Sequence, residues 1–168
     1  VPLDAYKKNI TQIVEKAQAA GIKVYLLTST MITENPKHPN NQKLAAYNDF
    51  LRKLAAEKSC VLVDLNADMQ KQIAEIKAKH PKIKGNLLTV DGVHMNPLGN
   101  IMMAEGILRA FGLTDAQLSA AEKAWSNRVY NQSVSLTVEQ YNALAKKAFQ
   151  NNQSVPDYLK KVVQKEIQ

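Results

Sequence analysis

The sequence predicts an α/β fold: a three-layer α/β/α sandwich built on a parallel sheet. Short, nearly continuous apolar runs of strand type alternate with amphipathic stretches of helical period over the first two thirds of the chain. This alternation is typical of parallel strands joined by crossover helices. After Gly112 only helical patterns follow. We therefore expect an α/β domain over residues 1–112 and a helical extension over residues 113–168 packed on it.

The first helix is indicated by apolar residues at helical spacing from Leu3 to Ala17, and Gly21 is suited to end it. Ile22–Thr28 and Cys60–Asp64 are predicted to be buried strands, because both are short and rich in apolar residues. Amphipathic helices are expected over Leu44–Leu54, Met69–Ile76 and Leu98–Phe111, with a polar loop over residues 29–42.

The predicted sheet is incomplete. Only two strands are convincing, and Leu87–Val90 is a weaker candidate for a third. Sheets typically contain about four to six strands, and a two-stranded parallel sheet leaves both edges unpaired. We expect the remaining strands to come from sequence outside this chain. In the extension, capping boxes at Thr114 and Thr137 and a cap at Ser154 predict three helices.

Composition argues against several classes of function. The net charge is +7 at pH 7, but the basic residues are dispersed and form no run longer than a pair. This distribution favours a solvated basic surface over nucleic-acid binding. No apolar stretch is long enough to span a membrane. The single cysteine, Cys60, cannot form a disulfide within the chain and is expected to be a buried thiol.

The residues best suited to catalytic chemistry are Asp91 and His94, which lie three positions apart on a loop before a helix. Asn96 can cap that helix and Pro97 suits its first turn. On spacing alone, three readings remain open. The pair can be a structural turn. It can contribute to a metal site, although the other histidines, His38 and His80, assemble no evident ligand set. It can also be the base and orienting carboxylate of a hydrolase.

The surrounding residues resemble a known family. Asp91-Gly92-Val93-His94, followed by Asn96-Pro97-Leu98-Gly99 and an apolar helix, is similar to the last conserved block of the SGNH (GDSL-type) hydrolases. The order of the upstream segments also resembles that family, so the likeness covers roughly residues 1–112. It implies a flavodoxin-like fold and ester hydrolysis through an acyl-serine, with no cofactor. His94 would be the general base and Asp91 the carboxylate that orients it, while Gly99 would have a packing role.

The chain departs from the family pattern in lacking the Gly-Asp-Ser block and the blocks that supply the other oxyanion-hole donors. Ser29 is the nearest internal candidate nucleophile, but a polar strand end explains it better. We expect this chain to be inactive alone and to need the N-terminal half of the domain, covalently or as a second chain. An acetyl ester of a carbohydrate is the first substrate expected from the resemblance, and a periplasmic or secreted location the first compartment. The alternative is a non-catalytic binding domain on the same scaffold.

Overall fold

The computed structural model describes residues 1–168 and contains seven helices and two strands. Two compact units are present, Val1–Arg128 and Val129–Gln168. The elements of the first unit are α1 (Leu3–Ala19), β1 (Tyr25–Leu27), α2 (Pro39–Glu57), β2 (Val61–Val63), α3 (Leu65–Lys79), α4 (Pro97–Ala110) and α5 (Asp115–Trp125). Those of the second unit are α6 (Val138–Gln150) and α7 (Val155–Glu166).

The two strands form a parallel sheet with helices on both faces, which confirms the predicted fold class. Leu26 pairs with Leu62, Tyr25 with Val61 and Leu27 with Val63. The side chains of Tyr25 and Leu27 lie on the opposite face of the sheet from that of Leu26. Leu26 packs in a core cluster with residues of α1 and α2. On the other face, the Tyr25 ring meets the ring of Phe111, next to α4, edge to face at 4.8 Å. Since side chains alternate across a strand, these contacts define three layers.

The loops that follow both strands are fixed by side-chain hydrogen bonds. Asp64 caps α3 through the Ala67 N–H and also accepts the Thr28 hydroxyl at 2.8 Å. The Arg52 guanidinium donates to both oxygens of Asp64, at 2.7 and 3.0 Å. These hydrogen bonds, that from Arg52 foremost, hold the pKa of Asp64 below its ordinary value. Asn48 binds both the N–H and the C=O of Ser29 at 2.9 Å.

Both strands are shorter than the predicted ranges, and two further local predictions differ from the structure. The loop predicted over residues 29–42 ends earlier, because α2 begins at Pro39 with His38 as its N-cap. Proline suits the first helical position, where no intrahelical N–H is needed. Leu87–Val90 forms no strand and has only an isolated bridge between Thr89 and Met95. The backbone N–H groups of Leu87, Leu88 and Thr89 instead donate to a carboxylate, as described below.

The division between the units falls at Val129, whereas the sequence pattern changes at Gly112. The reason is that α5 packs against α4 and so belongs to the first unit. In the second unit, α6 and α7 pack as a hairpin. Its turn contains Asn152 with φ +54°, and Ser154 caps α7. No helix of either unit has the length and hydrophobicity needed to cross a bilayer.

Candidate active site

Asp91 and His94 form a hydrogen-bonded pair on the loop before α4. The Asp91 Oδ2 atom lies 2.7 Å from His94 Nδ1. The other carboxylate oxygen accepts the backbone N–H groups of Val93 at 2.9 Å and His94 at 2.8 Å. One side chain therefore shapes the turn and orients the imidazole. The structural and hydrolytic interpretations of the pair are compatible.

The hydrogen bonds favour an ionised Asp91 and select one tautomer of a neutral His94. The backbone N–H of His94, its imidazole and the N–H of Val93, in that order, hold the pKa of Asp91 well below its usual range. An ionised carboxylate only accepts, so Nδ1 of the neutral imidazole carries the proton and Nε2 has its lone pair free. The His94 side chain is 78% exposed and that of Asp91 52%. The imidazole is thus held in a defined orientation at an accessible surface.

The loop closes tightly around this pair. The Val90 N–H donates to the His94 carbonyl at 2.8 Å. Gly92 adopts φ +94°, a conformation that side chains rarely tolerate, and its carbonyl accepts the Thr33 N–H. Thr33 itself has φ +61°, which is unusual for a β-branched residue, and its buried hydroxyl has no hydrogen-bond partner. The loop is therefore packed against a strained residue of the β1–α2 connection.

The start of α4 joins the pair to the core. Asn96 caps the helix by accepting the Gly99 N–H at 3.0 Å, and its amide donates to the Leu87 carbonyl at 2.8 Å. The Asn96 N–H donates to the Leu88 carbonyl at 3.0 Å. A Cβ on Gly99 would lie 2.2 Å from that same carbonyl oxygen. Only glycine permits this approach, which supports the packing role expected for Gly99.

Glu34 is the residue at this site that sequence reasoning missed. The residue is 7% exposed. Its carboxylate accepts the N–H groups of Leu87 at 2.6 Å, Leu88 at 2.8 Å and Thr89 at 2.8 Å, together with the Thr89 hydroxyl at 2.8 Å. The Thr89 hydroxyl in turn accepts the Gly92 N–H at 3.2 Å. Glu34 thereby supports the loop from beneath.

The remaining sequence candidates are not brought to the pair. Ser29 makes no hydrogen bond with His94, and its backbone is held at the end of β1 by Asn48 and Asn66. No group of three His, Cys, Asp or Glu side chains is arranged to hold a metal ion. Within this chain, the arrangement consists of the His94 imidazole hydrogen-bonded to the Asp91 carboxylate.

The chain is similar to solved structures of hydrolases, among them acetyl xylan esterases. AlAXEase, an acetyl xylan esterase, is 29% identical, with a TM-score of 0.57 over 64% of this chain and 55% of its own. LAE5, an α/β hydrolase enzyme from the metagenome of Lake Arreo in Spain, is 25% identical, with a TM-score of 0.56 over 67% of this chain and 48% of its own. Axe2, an acetylxylan esterase from Geobacillus stearothermophilus, is 23% identical and shares the fold, with a TM-score of 0.58 over 68% and 49%.

This chain spans about half the length of these structures. No match was found among curated protein sequences. The sequence profile of the GDSL-like Lipase/Acylhydrolase family matches residues 1–100, a range that includes the Asp91–His94 loop and the start of α4. The chain therefore belongs to the GDSL-like lipase/acylhydrolase family, and its fold is part of the SGNH hydrolase fold.

Proposed function

We propose that this chain carries two of the three catalytic residues of a serine esterase. His94 is the general base, Asp91 orients it, and the nucleophilic serine comes from sequence outside the chain. The observation that carries the proposal is the 2.7 Å contact between Asp91 Oδ2 and His94 Nδ1, which leaves Nε2 free on an exposed side chain. A serine on a neighbouring segment has open access to that nitrogen.

The chemistry follows from this orientation. Nε2 of His94 removes the serine proton as the hydroxyl oxygen attacks the ester carbonyl carbon, and then gives that proton to the departing alcohol. Water attacks the acyl-serine in the same way, which releases the acid and restores the serine. Asp91 stays ionised throughout and stabilises the transient imidazolium. Its lowered pKa suits it to this role.

Local strain also supports a functional loop. Backbone outliers persist where surrounding structure over-determines them, and they cluster at active sites. Thr33, at φ +61°, and Gly92, at φ +94°, are joined by a backbone hydrogen bond. Glu34, the next residue after Thr33, is the buried acceptor for the segment that leads into the loop. Of Thr33 and Gly92, only Thr33 is strained, since glycine adopts positive φ readily, and Thr33 is hydrogen-bonded to the loop that positions the proposed base.

The partner that completes the site is the rest of the same domain. Each strand of the sheet has one unpaired edge, since β1 and β2 pair only with each other. Leu27 and Leu62 remain partly exposed on this small sheet. Unpaired edges and exposed strand side chains are features that additional strands would cover. We propose that this segment, covalently attached or as a second chain, brings the serine and the oxyanion-hole donors.

For the substrate, we propose an acetyl ester of a carbohydrate. The support is the 29% identity to an acetyl xylan esterase. The ester and the missing half of the protein domain are the only partners that the proposal needs. The reaction requires no cofactor, because the acyl group is held by the serine.

The first experiment uses the chain as it is. A fluorophosphonate probe, which labels activated serines, is expected to leave the 168-residue chain unlabelled. Acetyl-ester hydrolysis should not exceed the buffer rate, because removing even one oxyanion donor costs about 10²–10³-fold. Labelling of a serine in this chain would overturn the claim that the nucleophile lies elsewhere.

The second experiment uses the longer polypeptide that contains these residues. His94→Ala should lower kcat for an acetyl ester by roughly 10⁴–10⁶-fold and Asp91→Asn by about 10⁴-fold. His80→Ala, an exposed histidine at the end of α3, is the matched control and should retain wild-type activity. Equal rates for wild type and His94→Ala would reject the catalytic role of His94, and rates no higher than that of buffer for both would favour a non-catalytic binding domain.

A further inference from the structure

Thr33 holds a strained backbone conformation without help from its own side chain. Its φ of +61° lies in the left-handed region, which a β-branched residue rarely adopts. Its buried hydroxyl makes no hydrogen bond. Such outliers persist only where the surrounding structure over-determines them. The constraint on this turn therefore comes from other residues.

Asn41, a buried residue in the first turn of α2, supplies that constraint. Its Oδ1 accepts the Ile32 N–H at 2.8 Å, and its Nδ2 donates to the Ile32 carbonyl at 2.7 Å. Nδ2 also donates to the carbonyls of Asn35 at 2.8 Å and Thr33 at 3.2 Å. A single amide thus binds the backbone on both sides of Thr33 and fixes the turn of residues 32–35.

The 32–35 turn holds the loop of the proposed base at two places. The Thr33 N–H donates to the Gly92 carbonyl, and the Thr33 Cα lies 3.4 Å from the position that a Cβ on Gly92 would take. Glu34, the next residue, accepts the backbone N–H groups of residues 87–89, which lead into the loop. Both contacts start from backbone positions within the turn, so a movement of the turn also moves the loop.

We propose that Asn41 is a positioning residue for the His94 imidazole: by fixing the turn, it keeps the ring aligned with the Asp91 carboxylate. The catalytic meaning of this role rests on the proposed esterase function, whereas the alignment itself is a property of this chain. Without the Asn41 amide, relief of strain favours the departure of Thr33 from the left-handed region. The Thr33 N–H and the adjoining Glu34 carboxylate then leave the loop together, and the imidazole loses its defined orientation.

Asn48 provides a matched control about two helical turns further along α2. It is also buried, and its amide also binds the N–H and the C=O of one residue, Ser29, both at 2.9 Å. The Ser29 carbonyl accepts a second hydrogen bond from Asn66 at 3.0 Å, so the end of β1 stays attached when Asn48 is shortened. The two buried amides on α2 thus make the same kind of contact, but only that of Asn41 binds the 32–35 turn.

The test compares Asn41→Ala with Asn48→Ala in the 168-residue chain. Nitrogen NMR at about pH 8.5, where histidine is ordinarily neutral, reports which imidazole nitrogen carries the proton, and a His94→Ala spectrum assigns the signals. Wild type and Asn48→Ala are expected to show the Nδ1–H tautomer of His94, which the Asp91 carboxylate selects. Asn41→Ala should show a mixture of the two tautomers. Both variants should lose stability in urea, so a loss of stability by itself does not produce the mixture.

A second readout uses the longer polypeptide that contains these residues. Asn41→Ala should lower kcat for an acetyl ester by about 10²-fold, the cost of a displacement of about 1 Å at a reacting group, and leave KM unchanged. Asn48→Ala should keep the wild-type kcat and KM. If Asn41→Ala does not fold, Asn41→Ser takes its place, since its hydroxyl restores one hydrogen bond to the turn, and a mixture of tautomers is again expected.

A single Nδ1–H tautomer in the folded Asn41 variant would overturn the positioning role, and so would the same change of tautomer in the Asn48 variant. The tautomer measurement also separates this role from the esterase proposal, because it needs no activity. A mixture of tautomers confined to the Asn41 variant, in a longer polypeptide that hydrolyses no ester even as wild type, would support the positioning of the imidazole and reject the esterase function.

Discussion

Replacing Glu34 tests how far a buried carboxylate supports the proposed catalytic loop. Glu34→Ala removes the acceptor for the N–H groups of Leu87, Leu88 and Thr89, which lie 2.6–2.8 Å from the carboxylate oxygens. Each buried donor left unsatisfied costs about 1–3 kcal/mol, and water entering the vacated space offsets part of this. We expect a loss of about 3 kcal/mol in the free energy of unfolding, measured by urea titration with circular dichroism.

Glu34→Gln is the isosteric comparison. A carbonyl oxygen at the Oε1 position still accepts from Leu88 and Thr89, but an NH₂ group at the Oε2 position faces the Leu87 N–H, 2.6 Å away. The expected loss is about 1–2 kcal/mol, between wild type and alanine. The His94 imidazole signals in a ¹H–¹³C NMR spectrum should shift in the same order. An alanine variant within about 0.5 kcal/mol of wild type, or one no worse than glutamine, would refute the reasoning.

Two further predictions concern stability. Gly99→Ala places a Cβ 2.2 Å from the Leu88 carbonyl oxygen, whereas Gly106→Ala on the same helix meets only side-chain ends, the nearest at 2.9 Å. Urea titration should show about 2–4 kcal/mol lost for the first and a change within about 1 kcal/mol for the second. Equal losses would contradict the packing role of Gly99. Asp64 has a pKa lowered chiefly by Arg52. Its contribution to stability is complete above the unfolded-state pKa of about 3.9 and is lost as the pH falls through the folded pKa. Asp64→Asn should therefore flatten the fall of Tm below about pH 4, and an unchanged slope would contradict this assignment.

Local sequence patterns were sufficient to predict most elements of the fold. The capping boxes at Thr114 and Thr137 are formed as expected, because each depends on residues only three positions apart. The pair Asp91 and His94 was predictable for the same reason, since both lie on one short turn. A short motif encodes a short-range hydrogen bond, and its geometry follows from backbone chemistry.

Contacts between distant residues were decided only by the tertiary structure. Glu34 lies 53 residues before Leu87, and no local pattern indicates that its carboxylate takes the N–H groups of that segment. Because those donors are used in this way, Leu87–Val90 makes only an isolated bridge where the sequence suggested a strand. By itself, the sequence determined the helices, the two strands and the Asp91–His94 pair. The support beneath that pair depends on which buried donors and acceptors meet once the chain is packed.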